Sequence, residues 1–597
     1  MFLRSKRRFK AGKAHRYFSV VENRRVRSGR VAQRRVLYLG EINDSQQGAW
    51  RKTLEVFDEA EKRARTLSLF PEDREIPADA LDGVQVKLAE MELRHPRVFG
   101  SYWLGCELWQ QLGLGEFWEE RLGEGREEVP WAKVLELLVV SRLVAPGSEF
   151  RLHRQEFDRS AMGELLDTGW GVAEKDRLYR CLDRIVEHKA TLFDHLRQRW
   201  QDLFQARFDV LLYDLTSTYI EGEGEEIPKA KHGYSRDKRF DCRQVVIALV
   251  VTPEGFPLAY EVMEGNTSDR TTLRTFLDKI EAQYGRARRV WVMDRGIPTE
   301  EVLAEMRDPE RKMFYLVGTP RGKIRQYEKK WLELPWQKVR ESVEVKLFAE
   351  GGELYVLAKS EGRRAKEQAI RRRKLARLLW KLRDLRRKRP ARDQLLLRIG
   401  AAKKEAGRAF GFVPIRLPPE GEEVTRPTFT FHVDKEKLKK AERRDGHYLL
   451  RSNLVGEDPS VLWERYVQLT QIEAAFKTLK SELGLRPIYH EVEKRVEAHI
   501  FVAFLAYALS VTLKQRLTAL APGLTPRAVL EKLATIQMLD VCLPTTDGRW
   551  LIMPRTTQPE PEQSLMLHQL HLSLPSQPPP RIKAPEPAST VAVELKM

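Results

Sequence analysis

The chain has 597 residues, too many for one hydrophobic core, and about three or four domains are expected. Lys and Arg number 105 against 86 Asp and Glu, a net charge of +19, which points to a polyanionic partner, nucleic acid ahead of a membrane surface; the plain alternative is a basic but ordinary enzyme. Four widely spaced cysteines (Cys106, Cys181, Cys242, Cys542) exclude a disulfide framework and a CxxC zinc module and fit a reducing compartment.

Residues 1–95 form a small basic region, with thirteen Lys/Arg and one acid in the first forty positions. Tyr17 to Val21 and Arg35 to Leu39 read as strands with a turn at Ser28-Gly29, either a solvated hairpin or one that meets phosphate. A helix is expected over 50–67 and a Pro-containing linker over 71–77. Residues 96–205 carry apolar positions at three- and four-residue spacing, as in Trp131 to Val144 and Arg177 to Phe204. They read as a helical, DNA-binding domain without an assignable helix-turn-helix, with Trp103, Trp109, Trp118, Trp131, Trp170 and Trp200 in its core.

At Phe208 the period changes. Strands are expected at Val210 to Thr216, Gln244 to Thr252, Pro257 to Glu264, Arg289 to Asp294 and Met313 to Gly318. Helices start near Ser268-Asp269 and Thr299. Three strands, helix, strand, helix, strand describe an α/β core with a mixed five-stranded sheet, assigned to 206–320 and 453–535. Residues 321–452 read as an inserted subdomain. It has strand candidates at Ser342 to Phe348, Leu354 to Lys359, Thr428 to Val433 and Tyr448 to Ser452. It also has a helix from Glu361 to Arg389 with fourteen Lys/Arg against three acids. That helix has a leucine stripe (Leu375, Leu378, Leu382, Leu385) suited to packing on a return helix after Pro390, and its basic face is either a phosphate-contacting arm or a solvated surface. Tyr466 to Lys480 reads as one helix: Ile472, Phe476, Leu479 and Leu483 make its apolar stripe, and Tyr466, Leu469, Glu473, Lys477 and Lys480 line the adjoining face. Ile500 to Leu513 is an apolar run too short to cross a bilayer comfortably and reads as a buried helix. Residues 536–597 form a C-terminal extension that contains the Pro-rich run Pro575 to Pro580 and ends in a Pro- and Ala-rich tail expected to be disordered. The N-terminus has no apolar segment of the secretory type, so a bacterial cytoplasmic location without membrane contact is expected.

Three acids stand out by position: Asp214 in the first core strand, Asp294 at the end of the fourth, and Glu473 on a later helix. If those two strands are neighbours, both aspartates lie at one end of the sheet, and a helix packed there brings Glu473 alongside. A lone aspartate at a strand end is more often a turn or cap, but two in these strands plus the helix acid make a hard oxygen site. Such a site suits two Mg²⁺ ions, with Mn²⁺ able to substitute. Arg295 adjoins Asp294 and pairs with it or with phosphate. Lys238 and Arg239 lie in HGYSRDKRFD and can approach DNA, while Asp237 and Asp241 there read as a solvated turn. His490 reads as a hydrogen-bonded structural histidine, and Gly296 as a positive-φ position.

The order Asp214, Asp294, Glu473 resembles the DDE triad of bacterial insertion-sequence transposases with an RNase H-like catalytic core. Tyr466, Glu473 and Lys480 match the Tyr-x2-Arg-x3-Glu-x6-Lys signature of one large group of them, with Leu469 where that signature has Arg. YDLTSTY, GFPLAYEVMEGNTSD, WVMDRG, LRPIYH and AHIFVAFLAYAL are similar to that group as well. The resemblance implies metal-dependent cutting at the terminal inverted repeats of the protein's own element and 3′-end transfer to target DNA. It implies a β-rich insertion before the glutamate, a homodimer or larger synaptic complex on double-stranded DNA, and phosphate contacts from Tyr466 and Lys480. The rival readings are an RNase H-like structure-specific nuclease and a domesticated, non-catalytic DNA-binding protein.

Overall fold

The computed structural model describes residues 2–10, 13–25, 31–41, 54–58, 63–67, 84–123, 129–311, 313–319, 334–341 and 343–583. They divide into two units, one of Arg207–Ser217 and Val246–Ala474, the other of Met1–Ala206, Thr218–Val245 and Ala475–Met597.

The first unit is built on a mixed sheet. Its strands Pro257–Glu264, Gln244–Val251, Val210–Tyr219, Arg289–Met293 and Met313–Thr319 lie side by side in that order. The connection 252–256 is too short for a parallel crossover, and it closes through Gly255 N–H donating to Thr252 O. Val210–Tyr219, Arg289–Met293 and Met313–Thr319 are mutually parallel. This is the mixed five-stranded arrangement expected of the core. Side chains alternate across the sheet: Leu211, Tyr213, Leu215, Trp291 and Met293 enter a core shared with Leu273, Phe276 and Ile280 of helix Asp269–Tyr284 and Val302, Leu303 and Met306 of helix Glu300–Met306. The Tyr213 hydroxyl also donates to Thr272 Oγ1 at 2.7 Å. Position 214 and position 294 therefore face the opposite side.

The sheet is larger than the five strands legible in the sequence. His447–Ser452 pairs antiparallel with Met313–Thr319, followed by Glu353–Ser360, Val343–Glu350 and Gln337–Arg340, giving nine strands. An ion network centred on the buried Arg451 and Glu353 joins the added strands to the core: Arg451 contacts Glu353 at 2.6 Å and Glu300 at 2.7 Å, and Arg307 contacts Glu353 at 2.7 Å. The basic helix Glu361–Lys388 folds back on Arg392–Ala406, and its four stripe leucines are buried with Leu395, Ala402 and Ala406, as the pattern indicates.

The second unit is mainly helical around Glu493–Leu520. That helix is apolar and long enough to cross a membrane, yet 94% of its apolar window is buried inside the protein, as expected of a core helix. It packs on Trp131–Val144 and Lys175–Ile185, and Trp200 Nε1 donates to Thr512 Oγ1 at 2.9 Å. Five of the six core tryptophans are buried. Trp170 is not: it is 49% exposed and sits beside His153 at the start of the short turn Trp170–Ala173.

One further expectation is corrected in this unit. The helix expected over 50–67 contains instead two antiparallel strands, Leu54–Asp58 and Arg63–Leu67, so strand pairing overrides the helix propensity of a charged segment. The Pro-rich segment 575–583 is tied into this unit, and the tail after it lies outside the described residues. Gln577 exchanges hydrogen bonds with Thr556, Arg555 donates to Pro578 O, and Arg581–Lys583 pairs with Trp550–Thr556 in a sheet completed by Gln537–Pro544 and Glu92–Val98. Tyr17 to Val21 and Arg35 to Leu39 fall in paired strands Lys13–Arg25 and Val31–Glu41; the Ser28-Gly29 turn and the 71–77 linker lie outside the described residues.

Candidate active site

Asp214 and Asp294 come from neighbouring parallel strands. The register pairs Met293 with Tyr213, so Asp294 follows its strand at the level of Asp214, on the face away from the two core helices. Each carboxylate is steered by the next peptide: Asp214 Oδ1 accepts from Leu215 N–H at 2.8 Å and Asp294 Oδ1 from Arg295 N–H at 2.7 Å. Gly296 has φ 91°, the left-handed conformation that glycine takes without strain, and turns the chain toward helix Glu300–Met306.

The segment around Glu473 is not one helix. Pro459–Val467 and Leu469–Lys477 are separate helices with a break at Gln468, and residues Thr478–Glu482 form a wider π turn. Tyr466 and Glu473 therefore sit on different helices rather than on one stripe. Both nevertheless line the same cleft of about 390 Å³, together with Asp214, Asp294, Arg295 and Leu469. The apolar stripe is as expected: Ile472, Phe476, Leu479 and Leu483 are buried.

Tyr466 reaches the cleft because residue 318 is glycine. A Cβ there would stand 2.8 Å from the Tyr466 hydroxyl and 3.3 Å from the Arg295 amide nitrogen, closer than side chains pack. The Tyr466 ring stacks on Tyr448 (centroids 5.9 Å), which in turn meets Trp463 at 5.0 Å. Burial, and after it the charge of Asp294, raise the Tyr466 hydroxyl to about 12, while Arg363 and Arg295 act in the opposite direction. At neutral pH it is therefore a proton-bearing donor.

The remaining positions singled out in the sequence belong to the other unit. Lys480 Nζ donates to both Asp237 oxygens, at 3.0 and 3.2 Å, and Arg486 pairs with the same carboxylate. Burial lowers the Lys480 pKa and Asp237 opposes it. Asp237 is thus a buried counter-ion, not part of a solvated turn. Arg239 is engaged by Asp241 (2.9 Å) and Glu221 (3.4 Å) over the Tyr219 ring. Lys238 and Lys477 are exposed. His490 is buried with its Nε2 3.4 Å from Glu149 Oε2.

Several cleft residues were not legible in the sequence. Arg363 was one of fourteen basic residues in its helix, and Gly318 was simply the last residue of a strand. Thr319 and Tyr448 became cleft residues only through strand pairing, and Trp463 through the helix Pro459–Val467. The tightest group of possible metal ligands also went unread: Glu149, His490 and His499, all buried, have ligand atoms within 4.8 Å of one another.

A family model described as a transposase DDE domain matches residues 206–509, over half of the chain. Among solved structures, the cryo-EM structure of a piggyBac transposase synaptic complex with hairpin DNA is similar at 9% sequence identity and a TM-score of 0.35, covering 74% of this chain and 82% of that one. A likeness at that level says nothing about what this chain binds. No curated protein matches the sequence.

Proposed function

The chain belongs to the transposase DDE-domain family, and from that premise we propose that it cuts DNA at the terminal inverted repeats of its element and transfers the 3′ ends to target DNA. The observation that carries the reading is the shared cleft of Asp214, Asp294 and Glu473, assembled from three elements far apart in the chain. The residues fit hard divalent ions: three carboxylates line the cleft without a thiol or imidazole among its lining residues, a donor set for Mg²⁺ or Mn²⁺. Bound ions of this kind supply activation of a water or 3′-hydroxyl and stabilisation of the leaving oxygen.

The chain's own groups do the rest. The Leu215 and Arg295 amides hold the two aspartates in fixed orientation, so little reorganisation is needed when ligands are gathered. The Tyr466 hydroxyl, kept protonated, offers a hydrogen bond to a phosphate oxygen, and the exposed Arg295 side chain offers positive charge beside it. The +19 charge favours a long anionic partner, double-stranded DNA.

The test uses the full chain with duplexes carrying the terminal repeats of its element in Mg²⁺. End-specific nicking followed by strand transfer is expected. Absence of both in Mg²⁺ and in Mn²⁺ would sink the reading, and wild-type cleavage by Glu473→Gln would remove Glu473 from the ligand set.

A further inference from the structure

The cleft that holds the carboxylates has a second wall, and its chemistry is not explained by metal ligation. The parallel strands end at one edge of the sheet, where Asp294 follows Met293 and Thr319 closes Met313–Thr319. His447–Ser452 runs antiparallel, so its beginning, with Tyr448, lies at that same edge; Thr319 pairs with Leu449. Glu353–Ser360 runs antiparallel to that strand in turn, so its last residue, Ser360, arrives there too. Ser360 is the N-cap of the basic helix Glu361–Lys388, its hydroxyl accepting from Arg363 N–H at 3.4 Å. The sheet register thus delivers the N-terminus of a 28-residue helix to the cleft.

Two features of this wall call for a ligand. The hydroxyls of Thr319 and Tyr448 are buried (8% and 7% exposed) and have no hydrogen-bond partner among the described residues, although both side chains line the cleft. A buried hydroxyl without a partner is costly, and one on a cleft wall is satisfied when a polar ligand arrives. Arg363 sits over the Tyr448 ring, its guanidinium carbon 4.9 Å from the centroid, and its Nε contacts Glu367 at 3.3 Å. The positive end of the helix dipole and the guanidinium both select an anion. Leu469, on the same cleft, is the position at which the related signature carries arginine.

We propose that Arg363, with the hydroxyls of Thr319 and Tyr448 and the first turn of its helix, binds a phosphodiester of the DNA strand lying against Asp214, Asp294 and Glu473, and so replaces the arginine absent at Leu469. The proposal rests on the transposase reading of this cleft. It makes the inserted segment part of the strand-binding surface: one side chain from the insertion supplies a charge that Leu469 on the neighbouring helix does not carry. Arg363 is a positioning residue here, acting on the strand and not on the reacting atoms.

The experiment measures binding of a fluorescent duplex carrying the element's terminal sequence in Ca²⁺, across a NaCl series, beside single-turnover cleavage in Mg²⁺. Arg363→Gln should weaken binding roughly ten- to a hundredfold and lower the slope of log affinity against log salt by about one, the signature of one lost phosphate contact. Arg363→Lys should recover much of both, and Leu469→Arg placed in the Arg363→Gln background should restore them, a rescue that a merely structural arginine would not show. Wild-type affinity and slope in Arg363→Gln, or no rescue by either arginine or lysine, overturns the proposal. Cleavage by the wild type together with an unaffected Arg363→Gln overturns the proposal alone. Binding without any cleavage overturns the transposase reading, while the salt slope still decides Arg363. A wild type that binds no DNA overturns both.

Discussion

Two groups of possible metal ligands in this molecule look at first like metal sites, the cleft of Asp214, Asp294 and Glu473 and the buried group of Glu149, His490 and His499. The buried group has the tighter geometry, with all ligand atoms within 4.8 Å. It also has its own cation: the Arg142 guanidinium lies 3.2 Å from Glu149 Oε1, with the two side chains only 4% and 3% exposed. Burial alone would raise the Glu149 carboxyl, but the His490 hydrogen bond and the Arg142 charge outweigh it and hold the group far below its ordinary value. A divalent ion placed there would meet a buried arginine, so the group is better explained as a closed, self-compensated core element. In the cleft the balance is reversed. Asp294 and Glu473 are exposed and form no ion pair among the described residues. With two ions about 3.5–4 Å apart, the outer carboxylates of a site need not approach one another within hydrogen-bonding range. Exposed acids outside any ion pair among the described residues, Asp294 and Glu473, rather than ligand proximity, single out the cleft as the candidate functional site.

The largest effect expected from this contrast is on cleavage. Glu473→Gln or Asp294→Asn should reduce single-turnover nicking by about three orders of magnitude. The thermal midpoint should not fall, because neither acid holds an ion pair among the described residues and an asparagine at 294 keeps an acceptor for the Arg295 amide. A destabilised Glu473→Gln with near-normal cleavage per folded molecule would put the cleft in the structural class instead.

The opposite pattern is expected of the buried group. Glu149→Gln leaves Arg142 uncompensated and should cost about 3–5 kcal/mol in urea unfolding. Equilibrium dialysis against Zn²⁺ should find no ion held by the wild type that the variant lacks. A stoichiometric ion lost on Glu149→Gln would erase the distinction between the two groups.

Acid separates them further. Burial lowers the His499 pKa to about 3, from an ordinary 6.5, with Arg142 as the next cause. Glu149 is likewise depressed, from 4.5. Both folded values lie below the unfolded ones, so the unfolded chain binds more protons. The stabilisation is therefore complete at neutral pH and is lost on acidification, from about pH 6.5 downward for His499 and below about 4.5 for Glu149. Unfolding free energy should drop by a few kcal/mol between pH 7 and pH 4, and His499→Met should flatten the upper part of that decline. A stability curve level from pH 7 to 5 in the wild type would contradict the buried neutral histidine.

What the sequence disclosed follows the same division. Asp214 and Asp294 were legible because one interrupts an apolar strand and the other ends one, and the alternation of Leu211, Tyr213 and Leu215 already set the face on which Asp214 lies. The stripe of Ile472, Phe476 and Leu479 likewise announced its own burial. The break at Gln468 was not legible, because no glycine or proline marks it and both flanking segments keep helical periodicity. The Lys480 ammonium could not be assigned to Asp237, 243 positions earlier, since pairing at that range depends on tertiary geometry and not on pattern. The same limit hid Arg363. Its helix was plain, but which of its basic residues meets the cleft depends on three successive strand registers.

The smallest expected effect tests how finely the cleft is built. Gly318 is not in a left-handed conformation, so its role is space: an alanine Cβ would meet the Tyr466 hydroxyl at 2.8 Å. The Tyr466 ring cannot swing away freely, since it stacks on Tyr448, which itself abuts Trp463. Nor can the strand retreat, because the Arg295 amide stands 3.3 Å from the same Cβ and is hydrogen-bonded to Asp294. Gly318→Ala should therefore tilt Tyr466 and disturb the peptide that steers Asp294, slowing cleavage about tenfold with a stability loss near 1 kcal/mol. In a Tyr466→Phe background the hydroxyl is gone and the clash is relieved, so the alanine should then cost much less, and the two changes should be clearly non-additive. Additive losses would mean that Gly318 acts through the Asp294 peptide alone and that Tyr466 does not depend on the space it leaves.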